Sequence, residues 1–130
     1  MTAKAKPANT LSFNLRLQIG AKGNFMLGPG KVALLTLINE TGSLGEAAKR
    51  MEMSYMKAWS LVQTMKPLVA LTRGGKSGGG AALTPLGQKA LVLYQKMESD
   101  SRRACKNSWK KLQLLLIDQA QRNEVVGSKK

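Results

Sequence analysis

The sequence predicts a mainly α chain with a small β component, and three features carry that prediction. Apolar residues recur at helical spacing after Val32 and again after Leu86, two serines stand where short helices need caps, and a glycine-rich stretch separates two brief apolar runs. At 130 residues the chain has room for one compact domain and a modest extension.

Residues 1–10 carry Lys4 and Lys6 but no apolar stretch of signal-peptide length, and they are expected to form a flexible basic tail. From Leu11 the pattern alternates. Phe13, Leu15, Leu17 and Ile19 are apolar and Asn14, Arg16 and Gln18 polar, the period of a half-buried strand. Gly20 to Gly30 holds four glycines and Pro29, which are expected to break regular structure. A first helix then spans about Gly30 to Thr41, with Val32, Leu34, Leu35, Leu37 and Ile38 apolar and Gly42 placed to close it in the left-handed region. Ser43 and Glu46 form an S-x-x-E capping box for a short second helix that ends near Met51.

Ser54 caps a third helix to Met65, whose core side is Ala58, Leu61, Val62 and Met65. Two short helices joined by about three residues match the helix-turn-helix arrangement, in which the second helix enters the major groove of DNA. Opposite that core side lie Met56, Lys57, Ser60, Gln63 and Thr64, with Tyr55 and Trp59 on the flank. The run from Leu68 to Thr72, the glycine-rich 73–80 and Ala81 to Leu83 read as a β-hairpin wing with a positively charged tip. Thr84 caps the last helix and Pro85 opens it, and no proline follows. Its stripe is Leu86, Ala90, Leu93 and Met97, then Cys105, Trp109, Leu112 and Leu116, and it is expected to reach about Arg122. The organisation is therefore a tail at 1–10, a winged helix-turn-helix at 11–83, a long dimerisation helix at 84–122 and a second flexible basic tail at 123–130.

Charge narrows the partners. Lys and Arg number 21 against 7 Asp and Glu, a formal net charge of +14, so a polyanion is the natural counterpart and double-stranded DNA the leading one. With no histidine and Cys105 alone, Cys/His metal sites, Cys/His nucleophilic pairs and an internal disulfide are excluded, and a reducing cytoplasmic, nucleoid-associated setting is expected. The longest aliphatic run, Leu114 to Ile117, falls far short of the roughly 20 residues of a spanning helix, so an integral membrane protein is excluded while a basic peripheral one is not, and no membrane partner is assigned.

Three stretches resemble a known family. Residues Gly42 to Ser54, G-S-L-G-E-A-A-K-R-M-E-M-S, are similar to the helix-turn-helix of LysR-type and ModE-type bacterial regulators. Ser54-Tyr55-Met56-Lys57-Ala58-Trp59 looks like the S-Y-x-x-A-W opening of the ModE recognition helix. Gly74 to Ala81, with Leu83-Thr84-Pro85-Leu86-Gly87, resembles that family's glycine-rich wing and the L-T-x-x-G after it. The resemblance covers about Leu11 to Met97 and implies the DNA-binding domain of a molybdenum-responsive transcriptional regulator. The segment from Met65 to the wing glycines is shorter than the family's, and the length leaves no room for the molybdate-binding domain that typical members carry, so no cofactor is expected.

The site residues follow. Ser43 is expected to contact DNA, Ser54 and Tyr55 its phosphates, Met56, Lys57, Ser60, Gln63 and Thr64 the groove, and Arg73, Lys76 and Ser77 of the wing adjacent backbone. Gly75-Lys76-Ser77 is not a nucleotide loop, because the first glycine of that motif falls on Ala70. Trp59 is expected to pack against a neighbour rather than to stack on a base. Leu93, Met97, Cys105, Trp109, Leu112 and Leu116 are assigned to a homodimer seam, since so small a domain cannot cover so long a helix alone. Scattered acids and no histidine leave no catalytic or metal residues to name, so the chain is expected not to be an enzyme. Specific regulation of palindromic operators is the leading reading. Its alternatives are a non-specific nucleic-acid or chromatin binder, and a truncated partner that pairs with a full-length related regulator.

Overall fold

The computed structural model describes residues 11–21, 24–72 and 80–128. It is mainly α with a small β component and a long C-terminal helix. Two compact units are distinguished, Arg16–Glu98 and a second that joins the stretch ending at Leu15 to the one beginning at Ser99.

The larger unit begins with a short antiparallel hairpin, β1 (Ile19–Ala21) and β2 (Asn24–Leu27), with Ile19 opposite Leu27 and an irregular register between Ile19 and Gly20. This corrects the sequence expectation twice. Residues 11–18 form no strand, although Leu11, Leu15 and Leu17 are half-buried and Arg16 and Gln18 exposed. Alternation records one-sided burial, and a strand also needs a partner ladder, which this stretch lacks. The glycine-rich segment read as a break instead contains the hairpin, because glycine serves hairpin turns as readily as it ends other elements.

Helix α1 (Pro29–Thr41) begins on its proline and is closed by Gly42 at φ 70°, whose N–H donates to the Ile38 carbonyl at 2.8 Å. Val32, Leu34, Leu35 and Ile38 are buried. Helix α2 (Leu44–Arg50) starts where Ser43 Oγ accepts from the Glu46 N–H at 3.1 Å, and it buries Leu44, Ala47 and Ala48. Helix α3 (Tyr55–Thr64) repeats the device, with Ser54 Oγ accepting from the Lys57 N–H at 3.1 Å. Helices this short are marginal alone, so burial of Ala58, Val62 and Met65 in the shared core, beside α2, is what holds α3.

A 3-10 turn (Lys66–Leu68) leads into strand β3 (Val69–Thr72), which pairs antiparallel with β4 (Gly80–Leu83) in the register Val69 to Leu83 and Thr72 to Gly80. The hairpin is tied to the body where the Ala81 N–H donates to the Gly42 carbonyl at 3.0 Å. Val69, Ala81 and Leu83 face the core.

Helix α4 (Pro85–Ser128) is 44 residues long. It continues past residue 122 through Gly127, since one glycine costs a helix only about 1 kcal/mol. At its start Thr84 Oγ1 donates to the Pro67 carbonyl at 2.8 Å and accepts from the Gly87 N–H at 3.0 Å. Gly87 is obligatory there, because a Cβ would overlap the Leu68 carbonyl. The side of α4 that enters the core is Gly87, Leu91 and Tyr94. Leu86, Leu93 and Met97 of the sequence-predicted stripe are exposed, and Ala90 is half-buried. Within the second unit the Phe13 and Trp109 rings meet at 5.1 Å between centroids, tilted by 50°.

Candidate nucleic-acid interface

The turn from α2 to α3 is built by backbone. The Met51 N–H donates to the Ala47 and Ala48 carbonyls at 3.1 Å each, and the Met53 N–H donates to the Ala48 carbonyl at 3.0 Å. Glu52 supplies the left-handed corner at φ 57°, the one positive-φ residue other than glycine among those described. This corner carries the chain from the end of α2 to the cap of α3 in four residues.

Helix α3 then divides into two sides. Ala58 and Val62 are buried, whereas Tyr55, Met56, Lys57, Ser60 and Thr64 are exposed, and Gln63 is half-buried. Met56, at 65% exposure, is the most open large apolar residue of the helix. Trp59 is 40% exposed, which corrects the expectation that it packs inward. Its position one residue after Ala58 turns it about 100° away from the buried line, and that geometry prevails over the tendency of tryptophan to be covered. The Thr64 hydroxyl is committed to its own helix, donating to the Leu61 carbonyl at 2.6 Å. Ser43 and Ser54 spend an acceptor position on their caps and keep their hydroxyl hydrogens.

Cations outnumber acids around this side, where the exposed Glu52 of the corner is the acid nearest to α3 in sequence. Helix α3 carries no acidic residue, and Lys57 is joined in sequence by the exposed Lys49 and Arg50 at the end of α2 and Lys66 just after α3. None of these four cations forms a salt bridge among the described residues, whereas on α4 Arg103 pairs with Asp100 and Arg122 with Asp118. Lys49, Arg50 and Lys66 are not among the contacts expected from the sequence, which lie on the helix caps, the recognition helix and the wing, although their exposure at helix ends is legible from the apolar pattern. Arg73, Lys76 and Ser77 lie outside the described residues. The hairpin strands below them stand as expected.

On α4, Leu93, Met97, Cys105, Leu112 and Leu116 are exposed. Trp109 is half-buried, with Phe13 against its ring. No described helix is long and apolar enough to cross a membrane.

Short capped helices joined by a tight corner, with a β-hairpin after the second, define a winged helix-turn-helix protein. Comparison with known proteins agrees with that class and narrows it. No family model matches the chain. The molybdenum-pterin-binding protein MopB of Rhodobacter capsulatus is 44% identical over 78 residues, covering 56% of this chain and 29% of MopB. The transcriptional regulator ModE of Haemophilus influenzae is 37% identical over 87 residues, 63% of this chain and 34% of that protein. The DNA-binding transcriptional dual regulator ModE of Escherichia coli K12 is 39% identical over 71 residues, 51% of this chain and 27% of that protein. Over the matched stretch the chain is similar to ModE-type sequences. The match spans about a third of the length of these relatives.

The relatives' names raise the question of molybdenum. Among the described residues no three His, Cys, Asp or Glu side chains gather as metal ligands, and no polar or charged side chain is buried to enclose an oxyanion. The described residues therefore do not fit such a group.

Proposed function

We propose that this chain is the DNA-binding part of a ModE-type transcriptional regulator, acting on palindromic operator DNA as a homodimer. The observation that carries the reading is the outward side of α3, where Tyr55, Met56, Lys57 and Ser60 are exposed on an acid-free helix whose other side is locked into the core. Lys57 and Ser60 donate to base edges, while Ser43, Ser54 and Tyr55 donate to phosphates beside the groove. Arg73, Lys76 and Ser77, in the segment between β3 and β4, are assigned in this reading to the adjacent backbone. The chain binds and carries out no chemistry.

Two copies joined along α4, through Leu93, Met97, Cys105, Trp109, Leu112 and Leu116, present two recognition helices. Two-fold symmetry then sets half-site centres roughly 34 Å apart, one turn of duplex, or a multiple of it. The test is competition binding of a palindromic duplex in excess random DNA. Lys57→Ala and Ser60→Ala are expected each to remove about 1–3 kcal/mol of discrimination while leaving non-specific affinity nearly intact. Equal affinity of the unmodified chain for every sequence would instead favour a non-specific binder.

A further inference from the structure

A cavity of about 460 Å³ opens beside α3 within the Arg16–Glu98 unit, and apart from Lys57 its lining residues have no part in the helix-turn-helix reading. Three cationic residues from three separate segments line it: Arg16 from the stretch before β1, Lys31 from the first turn of α1 and Lys57 from α3. No Asp or Glu is among its lining residues. Arg16 and Lys57 form no salt bridge among the described residues. Met51, Met53 and Leu61 give the cavity an apolar side.

Cations beside an apolar wall suit a ligand with an anionic group joined to a compact apolar body. A phosphodiester with its deoxyribose is such a ligand, and Lys57 places the cavity on the side of the molecule that the DNA reading assigns to the groove. We infer that this cavity takes one sugar-phosphate unit of the DNA backbone, with Arg16 and Lys31 on the phosphate and the methionines against the sugar. This inference rests on the DNA-binding reading above. It adds Arg16 and Lys31 to the interface and makes the stretch before β1 a backbone clamp, which fixes how far α3 advances along the groove.

The experiment is the salt dependence of duplex binding by the full chain, its Arg16→Ala and Lys31→Ala variants, and Arg16→Lys. Both alanine variants are expected to weaken every duplex by the same factor, and each to lower the slope of log affinity against log salt by about 0.9, the value of one phosphate contact. Arg16→Lys should restore the slope, since the lost quantity is a charge. Circular dichroism of each variant confirms retained helix. If the unmodified chain binds duplex steeply while both alanine variants keep its slope and affinity, the clamp is wrong and the groove reading stands. If the unmodified chain binds no duplex, both fall together. A parallel calorimetric titration with thymidine monophosphate separates the sources of phosphate. Saturable binding lost in Arg16→Ala, with duplex slopes unchanged, would assign the cavity to a free nucleotide and overturn the inference.

Discussion

Tyr94 joins packing to a single hydrogen bond. Its ring is 1% exposed, and its hydroxyl donates to the Leu17 carbonyl at 2.7 Å, pinning the stretch before β1 to α4. Burial raises the phenol above its ordinary value near 10, Glu98 adds to the rise, and Arg16 opposes it. A raised pKa in the folded state means that folding favours the protonated phenol. Its contribution is therefore complete below pH 10 and is lost as pH climbs through the folded value. Tyr94→Phe is expected to cost about 1 kcal/mol at neutral pH by leaving the carbonyl without its donor. Chemical denaturation should show the difference shrinking above pH 10, and a difference independent of pH would contradict the assignment. Tyr94 was not legible in the sequence, where Leu93 and Met97 drew the stripe one residue aside. Apolar spacing on a long helix locates a stripe, but it does not say which of two stripes meets the core.

At the scale of elements, the capped helices were readable and the β segments less so. Ser43, Ser54, Thr84 and Gly42 act within three or four residues of their own positions, so their roles follow from local chemistry, and each makes its expected bond. Strand pairing in β1–β2 depends on a partner that alternation alone does not name. The corner between α2 and α3 was readable as a turn but not in its conformation, because Glu52 is an unusual residue for φ 57°. A left-handed residue with a Cβ costs about 1–2 kcal/mol, and glycine returns part of that gain through its freedom in the unfolded chain. Glu52→Gly is expected to raise stability by about 0.5–1 kcal/mol, read as a higher denaturant midpoint at an unchanged slope. A lower midpoint would mean that the glutamate side chain contributes more than its backbone strain removes.

For the whole molecule, charge and the long helix act together. A formal charge of +14 disfavours association of two copies, so a dimer needs apolar surface to offset repulsion. Helix α4 offers Leu93 at 60%, Met97 at 47%, Leu112 at 47% and Leu116 at 45% exposure. Trp109 is a poor probe of that seam because it also holds Phe13 of its own chain. The double variant Leu112→Asp, Leu116→Asp is expected to be monomeric by light scattering and to lose cooperative binding to palindromes, while a half-site still binds. A dimer that persists would place the seam elsewhere on α4.

The central claim is that the outward side of α3 reads duplex DNA. Selection of bound duplexes from a random library, run in parallel with the unmodified chain and with Lys57→Ala, tests it most directly. The account predicts enrichment of an inverted repeat by the unmodified chain and a relaxed base preference at one position of each half-site in the variant. Libraries that stay random, or identical motifs from both proteins, would contradict it.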